Sequence, residues 1–165
     1  MSRFATAATA LRGPFKKLIR SLEITLRKPA LRRLGPLGHK ISANVRAKDS
    51  ETAYAAARKA AGERLSGSKP IPVATSAAVD RTTGRVVGMG HARDNPEIPP
   101  VLRQVLPATT LESWSVTNCS EVSAATSAIN NGSRLEDLVI RTVRTKESMA
   151  YPPCRNCQTW LPGED

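Results

Sequence analysis

The sequence predicts an α/β fold of three layers, α/β/α, preceded by a basic N-terminal tail. Three observations lead to this prediction. Helical and strand patterns alternate after residue 50, positive charge is concentrated before that point, and all three cysteines fall in two short motifs. Alternation of helices and strands is typical of a sheet covered by helices. A chain of 165 residues has room for one ordinary domain.

Charge divides the chain into two parts. Residues 1–49 contain 12 Lys and Arg but two acidic residues, Glu23 and Asp49, whereas the remaining residues contain 13 Lys and Arg and 12 acids. The net charge of +11 therefore belongs almost entirely to the first part. We predict a basic tail or linker over residues 1–49 and a folded domain over residues 50–165.

The tail contains the pattern of an amphipathic basic helix. Apolar residues recur at roughly helical spacing with Lys and Arg around them, and Pro29 ends the pattern. Such a helix suits an anionic surface or nucleic acid and also matches an organelle transit sequence, with a solvated linker as the alternative. The tail lacks the apolar stretch of a signal peptide and is too polar to span a membrane. The apolar positions are Phe15, Leu18, Ile19, Leu22 and Leu26.

A helix and a hairpin are expected to begin the folded domain. Gly35-Pro36 and Gly38 predict a loop, after which a helix is capped by Asp49 or Ser50 and ends at Gly67. The apolar face of that helix consists of Tyr54, Ala57, Ala60, Ala61 and Leu65.

The hairpin pattern runs from Val73 to Val79 and from Arg85 to Met89, around a turn from 80 to 84. Gly88 and Gly90 are expected to weaken the end of the second strand. A proline-rich loop follows, and loops of this kind commonly carry binding residues.

The second half of the domain places the cysteines at two predicted helix starts. A helical pattern holds Cys119 and Glu121 in its first turn and stops at residues 130–132. The apolar run 138–143 predicts a strand covered on both faces. Pro152-Pro153 then predicts the start of a last helical turn, which carries Cys154 and Cys157.

The three cysteines form a set that suits zinc. They occur as Cys119-Ser120-Glu121 and Pro153-Cys154-Arg155-Asn156-Cys157. Three thiolates bind Zn²⁺ at about 2.3 Å and leave the fourth tetrahedral position open for water. A closed structural site completed by His39 or His91 is one alternative, and a redox Cys-x-x-Cys pair is another. An odd number of cysteines argues against a disulfide framework.

Two residues beside the cysteines are candidates for roles in the chemistry. Water bound to zinc loses its proton near neutral pH, and the resulting hydroxide is a strong nucleophile. Glu121 lies two residues after a ligand, where it can shuttle protons without binding the metal. Three thiolates and one Zn²⁺ carry a net charge near −1, and Arg155 is the candidate for a guanidinium that donates to a thiolate. Full solvent exposure is the alternative for Arg155.

The motifs resemble those of the cytidine deaminase-like superfamily. The Cys-Ser-Glu and Pro-Cys-Arg-Asn-Cys motifs carry the superfamily likeness, which covers roughly residues 50–165. Within it the chain is most similar to the YwqJ-type deaminases of bacterial polymorphic toxins. The shorter likenesses are Ser76-Ala77-Ala78-Val79-Asp80 leading to Thr83-Gly84, Trp114 before the first cysteine motif, and the stretch from Tyr151 to Gln158.

The resemblance implies a zinc-dependent deaminase-like domain that removes an amine from a nucleobase. Cys119, Cys154 and Cys157 would bind Zn²⁺ and Glu121 would be catalytic. It further implies a toxin or effector module that acts on nucleic acid or nucleotides and is neutralised by an immunity protein. The chain departs from the superfamily because eight residues follow Cys157, where further strands are usual, so a short sheet is expected. Localisation stays open between delivery as an effector and the cytoplasm.

The substrate is less well defined by the sequence. Residues 50–165 contain four aromatic residues, too few for an extended base-stacking surface, so one flipped base or a free nucleoside fits better. His91 and Asn95 are candidates for contacts with sugar or base. A metabolic nucleoside deaminase, and an inactive zinc-binding relative that binds nucleic acid through residues 1–49, are the alternative functions.

Overall fold

The computed structural model describes residues 35–161, with side chains described from residue 44 onward. The amphipathic pattern predicted between Phe15 and Leu26 lies outside the described residues. The elements within them are α1 (Gly35–Ser66), β1 (Ala74–Asp80), β2 (Arg85–His91), α2 (Pro100–Arg103), α3 (Ser120–Asn130), β3 (Leu138–Arg144) and α4 (Arg155–Gln158), with 3₁₀ turns at Val116–Asn118 and Leu135–Asp137.

The three strands form one antiparallel sheet in the order β2-β1-β3. Ala78 in the central strand lies opposite Gly88 on one side and Ile140 on the other. The predicted hairpin, the strand after residue 138 and the helix after Cys119 are confirmed. The mixed α/β class is therefore confirmed as well.

The hairpin turn is organised by the side chain of Asp80. Its Oδ1 accepts hydrogen bonds from the backbone N–H groups of Thr82 and Thr83, at 2.7 and 3.2 Å. Burial raises the pKa of Asp80, but the hydrogen bonds from Thr82, Ser133 and Thr83 together outweigh it, and the pKa lies below its usual value. Gly84 closes the turn at φ +68°, a conformation that favours glycine.

Helix α1 begins earlier than the sequence pattern indicates. The predicted loop at Gly35-Pro36 and Gly38 is wrong, and Asp49 and Ser50 lie inside the helix instead of capping it. Proline is tolerated in a first helical turn because its missing N–H would have no partner there, and one interior glycine costs only about 1 kcal/mol. Ser50 Oγ instead accepts a hydrogen bond of 2.7 Å from Arg141 Nε of β3.

The chain divides between Arg46 and Ala47 into two units, and the second contains the sheet. Consecutive residues of β1 point to opposite faces of that sheet. Ala77 packs with Ala57 and Ala61 of α1, whereas Ala78 packs in a separate core with Val122 and Ala125 of α3. The sheet is therefore covered by a helix on each face.

Two glycines of β2 let α3 lie directly on the sheet. A Cβ atom added at Gly88 would lie 2.2 Å from Ala124 O, and one added at Gly90 would lie 2.3 Å from Ala124 N. Neither distance is compatible with a side chain, so the helix can approach the strand only because both residues are glycine. The interpretation of these glycines as a weakened strand end is wrong, because they form the surface on which α3 packs.

No helix within residues 35–161 has both the length and the apolar character needed to cross a membrane.

Candidate metal centre

The two cysteine motifs meet where two helices begin. Cys119 is the N-cap residue of α3, Cys154 is the N-cap residue of α4, and Cys157 lies inside α4. The three sulfur atoms lie within 4.8 Å of one another, and Cys119 Sγ is 3.5 Å from Cys154 Sγ. All three cysteines are free thiols, with Cys119 and Cys157 buried. The structure thus brings together the three residues that the sequence predicts as ligands.

The cluster has the donor geometry of a metal site. Sulfur atoms bound at about 2.3 Å around a tetrahedral metal lie about 3.8 Å apart, which matches the spacing here. Among the side chains described from residue 44 onward, no histidine or carboxylate joins the group as a fourth ligand. Three cysteines without a fourth protein ligand could hold a metal ion with one coordination position left free.

The three thiol groups influence one another's protonation. Hydrogen bonds from Cys119 and Cys157 lower the pKa of Cys154, and the backbone N–H groups of Cys157 and Asn156 lower it further. Hydrogen bonding with Cys154 raises the pKa of Cys119, although the contact with Cys157 lowers it, and hydrogen bonds with Cys119 and Cys154 raise the pKa of Cys157. A metal ion that binds all three sulfurs must therefore displace protons, which makes its affinity dependent on pH.

Glu121 lies in the first turn of α3 beside the cysteines. Its side chain is 6% exposed, and burial raises its pKa. A chain of hydroxyl groups leads to it from the sheet, because Ser76 Oγ donates to Ser120 Oγ at 2.8 Å and Ser120 Oγ donates to Glu121 Oε2 at 3.3 Å. Ser76 also lies 2.7 Å from Thr142 Oγ1 of β3. These hydroxyls position the carboxyl group. Ser76 and Thr142 were not found from the sequence because they lie within strand patterns, and Ser120 was named only as part of the first cysteine motif.

A cavity of about 350 Å³ opens onto this cluster. Glu121, Cys119 and Cys154 contribute to its wall, and so do the aromatic rings of Trp114 and Tyr151. The other lining residues are Val73, Ala74, Ala92, Arg93, Asn118, Ser120 and Pro152. Pockets for small ligands have volumes of about 300–1,000 Å³, so this cavity suits a ligand of modest size.

Arg155 does not contact the thiolates. Its side chain is 69% exposed, and its guanidinium lies 3.5 Å from Glu112 Oε2. The backbone N–H of Arg155 donates to Glu112 Oε1 at 2.9 Å. Cys154 and Cys157 turn toward the cluster, so the residue between them faces outward, and backbone N–H groups supply the donation to sulfur that was predicted for the guanidinium.

Asn156 is the neighbouring residue that the sequence did not single out. It is fully buried, and its Oδ1 accepts the backbone N–H of Leu111 at 2.7 Å. Its Nδ2 donates to Thr110 Oγ1 at 3.1 Å. Together with the Glu112 contact, these bonds tie the second cysteine motif to the loop that precedes the first.

His91 and Asn95 are close in sequence to residues that line the cavity, but neither of them lines it. His91 Nδ1 is 3.0 Å from Thr75 Oγ1, on the sheet face opposite α3, because Gly90 before it faces that helix. Asn95 Oδ1 accepts a hydrogen bond of 3.0 Å from Thr117 Oγ1. The same loop instead presents Ala92 and Arg93 to the cavity.

Comparison of the chain with protein-family models, with curated proteins and with solved structures gave no match. The function is therefore argued from the geometry of the site and from the motifs.

Proposed function

We propose that the domain is a zinc-dependent hydrolytic deaminase of a nucleobase. One observation carries the proposal: the three cysteine sulfurs lie together, and the buried residue Glu121 lines the same cavity as Cys119 and Cys154. A metal cluster without a free coordination position would not need a carboxylic acid beside it. A deaminase needs a free coordination position and a carboxylic acid beside it, since it must activate water and then move the protons of that water.

The three cysteines would hold the metal. Cys119, Cys154 and Cys157 fit Zn²⁺, a borderline-soft ion that thiolates bind well. When bound there, Zn²⁺ would supply an activated water as the nucleophile. The lack of a histidine in the cluster, among the side chains described, favours this open site over a structural Cys3His site.

Glu121 would act as the proton shuttle. Its carboxyl group takes a proton from the water that attacks the ring carbon, passes one to the ring nitrogen and protonates the departing amine. Oxygen from water ends in the new ring carbonyl, and the exocyclic nitrogen leaves as ammonia. The hydroxyl chain from Ser76 through Ser120 supports this role, because it holds the carboxyl group in one orientation.

The arrangement of helices around the sheet supports a place within the deaminase-like fold. The starts of α3 and α4 carry the cysteines, and α1 and α3 pack on opposite faces of the sheet. We propose a reduced three-layer form whose sheet has three strands among the described residues. Its motifs favour a toxin or effector module that acts on nucleic acid or nucleotides, with an immunity protein as partner and residues 1–49 available to an anionic surface.

Ammonia release by the zinc-loaded protein tests the activity. The substrates supplied are cytidine, adenosine, guanosine, their monophosphates, and single-stranded RNA and DNA. The zinc content of the protein is measured in parallel. Glu121→Gln should keep one zinc per chain and lose about 10²- to 10⁴-fold in turnover, because it can no longer carry a proton.

Glu112→Gln is the matched control, since this carboxylate binds Arg155 and does not line the cavity. It should retain turnover within a few-fold. Full activity of Glu121→Gln, or no ammonia from any base, would contradict the proposal.

A further inference from the structure

We propose that Arg93 binds a phosphate group of the substrate, so that the cavity takes a phosphorylated nucleoside, either free or within a strand. This inference rests on the proposed function of the cysteine cluster. It adds a substrate class and a residue that the motifs do not point to.

Arg93 is the single cation among the residues that line the cavity. The single carboxylate there is Glu121, which is buried, whereas Arg93 is exposed. The two charges therefore occupy different depths, with the carboxyl group at the floor and the guanidinium at the mouth. A ligand that places its reacting ring at the floor would meet positive charge farther out.

The backbone holds Arg93 in an unfavourable conformation. Its φ is +71°, in the left-handed region that side chains other than Gly, Asn and Asp rarely adopt. Two contacts enforce it: the N–H of Arg93 donates to Asn118 O at 2.9 Å, and Asp94 Oδ2 accepts the N–H of His91 at 2.7 Å. Asn118 directly precedes the first cysteine, so Arg93 is fixed relative to the cluster. Backbone strain of this kind concentrates at functional sites.

No carboxylate contacts the guanidinium of Arg93 within the described residues 44–161. The neighbouring Asp94 is engaged with the backbone of His91, and the ion pairs of this region involve Arg155 and Glu112 instead. An arginine that lines a cavity without an acidic partner is available to a ligand anion. Its planar fork of N–H groups matches the oxygens of a phosphate.

The remaining walls fit the rest of a nucleotide. Trp114 and Tyr151 offer aromatic faces to a base, and the cavity volume of about 350 Å³ is near the lower end for ligand pockets. The guanidinium of Arg144 lies 4.7 Å from the centre of the Tyr151 ring and adds a second positive charge close to the cavity wall. A base stacked inside would leave its sugar phosphate directed outward, toward Arg93.

Calorimetric titration of the zinc-loaded full chain tests the inference. Glu121→Gln serves as the background, so that ligands are bound without turnover. The ligands are the four common ribonucleosides, their 5′-monophosphates and trinucleotides with the same central base. We expect at least one monophosphate to bind about tenfold more tightly than its nucleoside, and Arg93→Gln to abolish that difference while leaving nucleoside binding unchanged. Arg93→Lys, which keeps the charge, should retain part of it.

Arg85→Gln is the control for general loss of charge. Arg85 is an exposed arginine at the opposite end of β2, about 20 Å away along the strand. This control matters because residues 1–49 carry 12 Lys and Arg that attract any phosphate.

Three outcomes would overturn the inference. They are equal affinity for nucleosides and monophosphates, absence of monophosphate binding, and equal effects of Arg93→Gln and Arg85→Gln on monophosphate affinity. Binding that depends on Arg93 in a protein that releases no ammonia would instead reject the deaminase and keep the phosphate site. Comparable monophosphate and trinucleotide affinities would identify a free nucleotide as sufficient, and tighter trinucleotide binding would identify a strand.

Discussion

The two faces of the sheet are built from the same strands but in different ways. Thr75 and Ser76 are neighbours in β1, yet each belongs to a separate hydrogen-bond network. Thr75 bonds to His91 and Thr145 on the face that α1 covers, with oxygen–nitrogen and oxygen–oxygen distances of 3.0 Å. Ser76 bonds to Ser120 on the face that α3 covers, and that network reaches Glu121 and the cysteines.

The difference lies in how closely the helix approaches. On the α3 face, glycines of β2 meet Ala124 and Ala128, so backbone packs against backbone. On the α1 face, Tyr54 and Arg141 lie between helix and sheet, with the guanidinium 5.9 Å from the centre of the ring. The face with the cysteine cluster therefore has little room to adjust, whereas the other face can accommodate changes by moving side chains. Precise placement of Cys119 and Glu121 follows from this close packing.

Metal removal should have the largest effect, and it should act through the α3 face. Free zinc at about 1,000 times its dissociation constant stabilises the folded state by about 4 kcal/mol. We expect a chelator to lower the thermal midpoint of the wild-type protein strongly. Cys119→Ser should start from the lower midpoint and not respond to chelator or zinc. Thr75→Ala, on the other face, should keep the full zinc response; an equal loss of response in both variants would show that the faces are not independent.

Gly90→Ala should have the next largest effect. Its Cβ would lie 2.3 Å from Ala124 N and 2.6 Å from Ser120 O, so α3 must move away from β2. We expect a loss of about 1–3 kcal/mol in the free energy of unfolding and weaker zinc binding, measured by denaturant titration and by competition with a chromogenic chelator.

Gly62→Ala is the matched substitution on the other side of the sheet. Gly62 lies inside α1, and an added Cβ meets no atom within 4 Å. It should stabilise the protein by about 0.5–1 kcal/mol, because alanine favours a helix more than glycine does. Tolerance of Gly90→Ala would contradict the close packing on the α3 face, and destabilisation by Gly62→Ala would show that this exposed position of α1 does not accept a side chain.

Signals in the sequence were sufficient for the cysteine cluster and the hairpin. Cys119, Cys154 and Cys157 could be grouped because the Cys-Ser-Glu and Pro-Cys-Arg-Asn-Cys motifs account for every cysteine of the chain and resemble those of zinc-dependent deaminases. The hairpin followed from two strand-like stretches on either side of a turn that contains Thr83-Gly84. The hairpin depends on neighbours in the chain, whereas the two cysteine motifs lie 35 residues apart, and the structure brings their cysteines together as expected.

The features missed by the sequence depend on contacts between distant segments. Gly90 reads as a weak strand residue until α3 is placed on it, and the buried amide of Asn156 has its partners in a loop some 45 residues earlier. Arg93 belongs to no motif, and the role proposed for it rests on its backbone angle and on its place in the cavity wall. His91, a candidate for contacts with sugar or base, is the last residue of β2 and lies beside Thr75 on the face away from α3.

The smallest effect should come from His91, which provides a pH test restricted to the α1 face. Burial lowers the pKa of His91 below the usual 6.5; Asp94 opposes this, and the positive charges of Arg64 and Lys69 add to it. The unfolded chain therefore binds a proton at a higher pH than the folded protein does, and stability must fall as the pH drops below about 6.5.

His91→Asn keeps a polar partner for Thr75 and removes the titration. The unfolding free energy of the wild type should decrease more between pH 7.5 and 5.5 than that of the variant, with zinc binding at pH 7.5 unchanged. The three cysteines are present in both proteins, so their protonation cancels in this difference. An identical pH response of the two proteins would show that the protonation of His91 does not contribute to the pH dependence of stability.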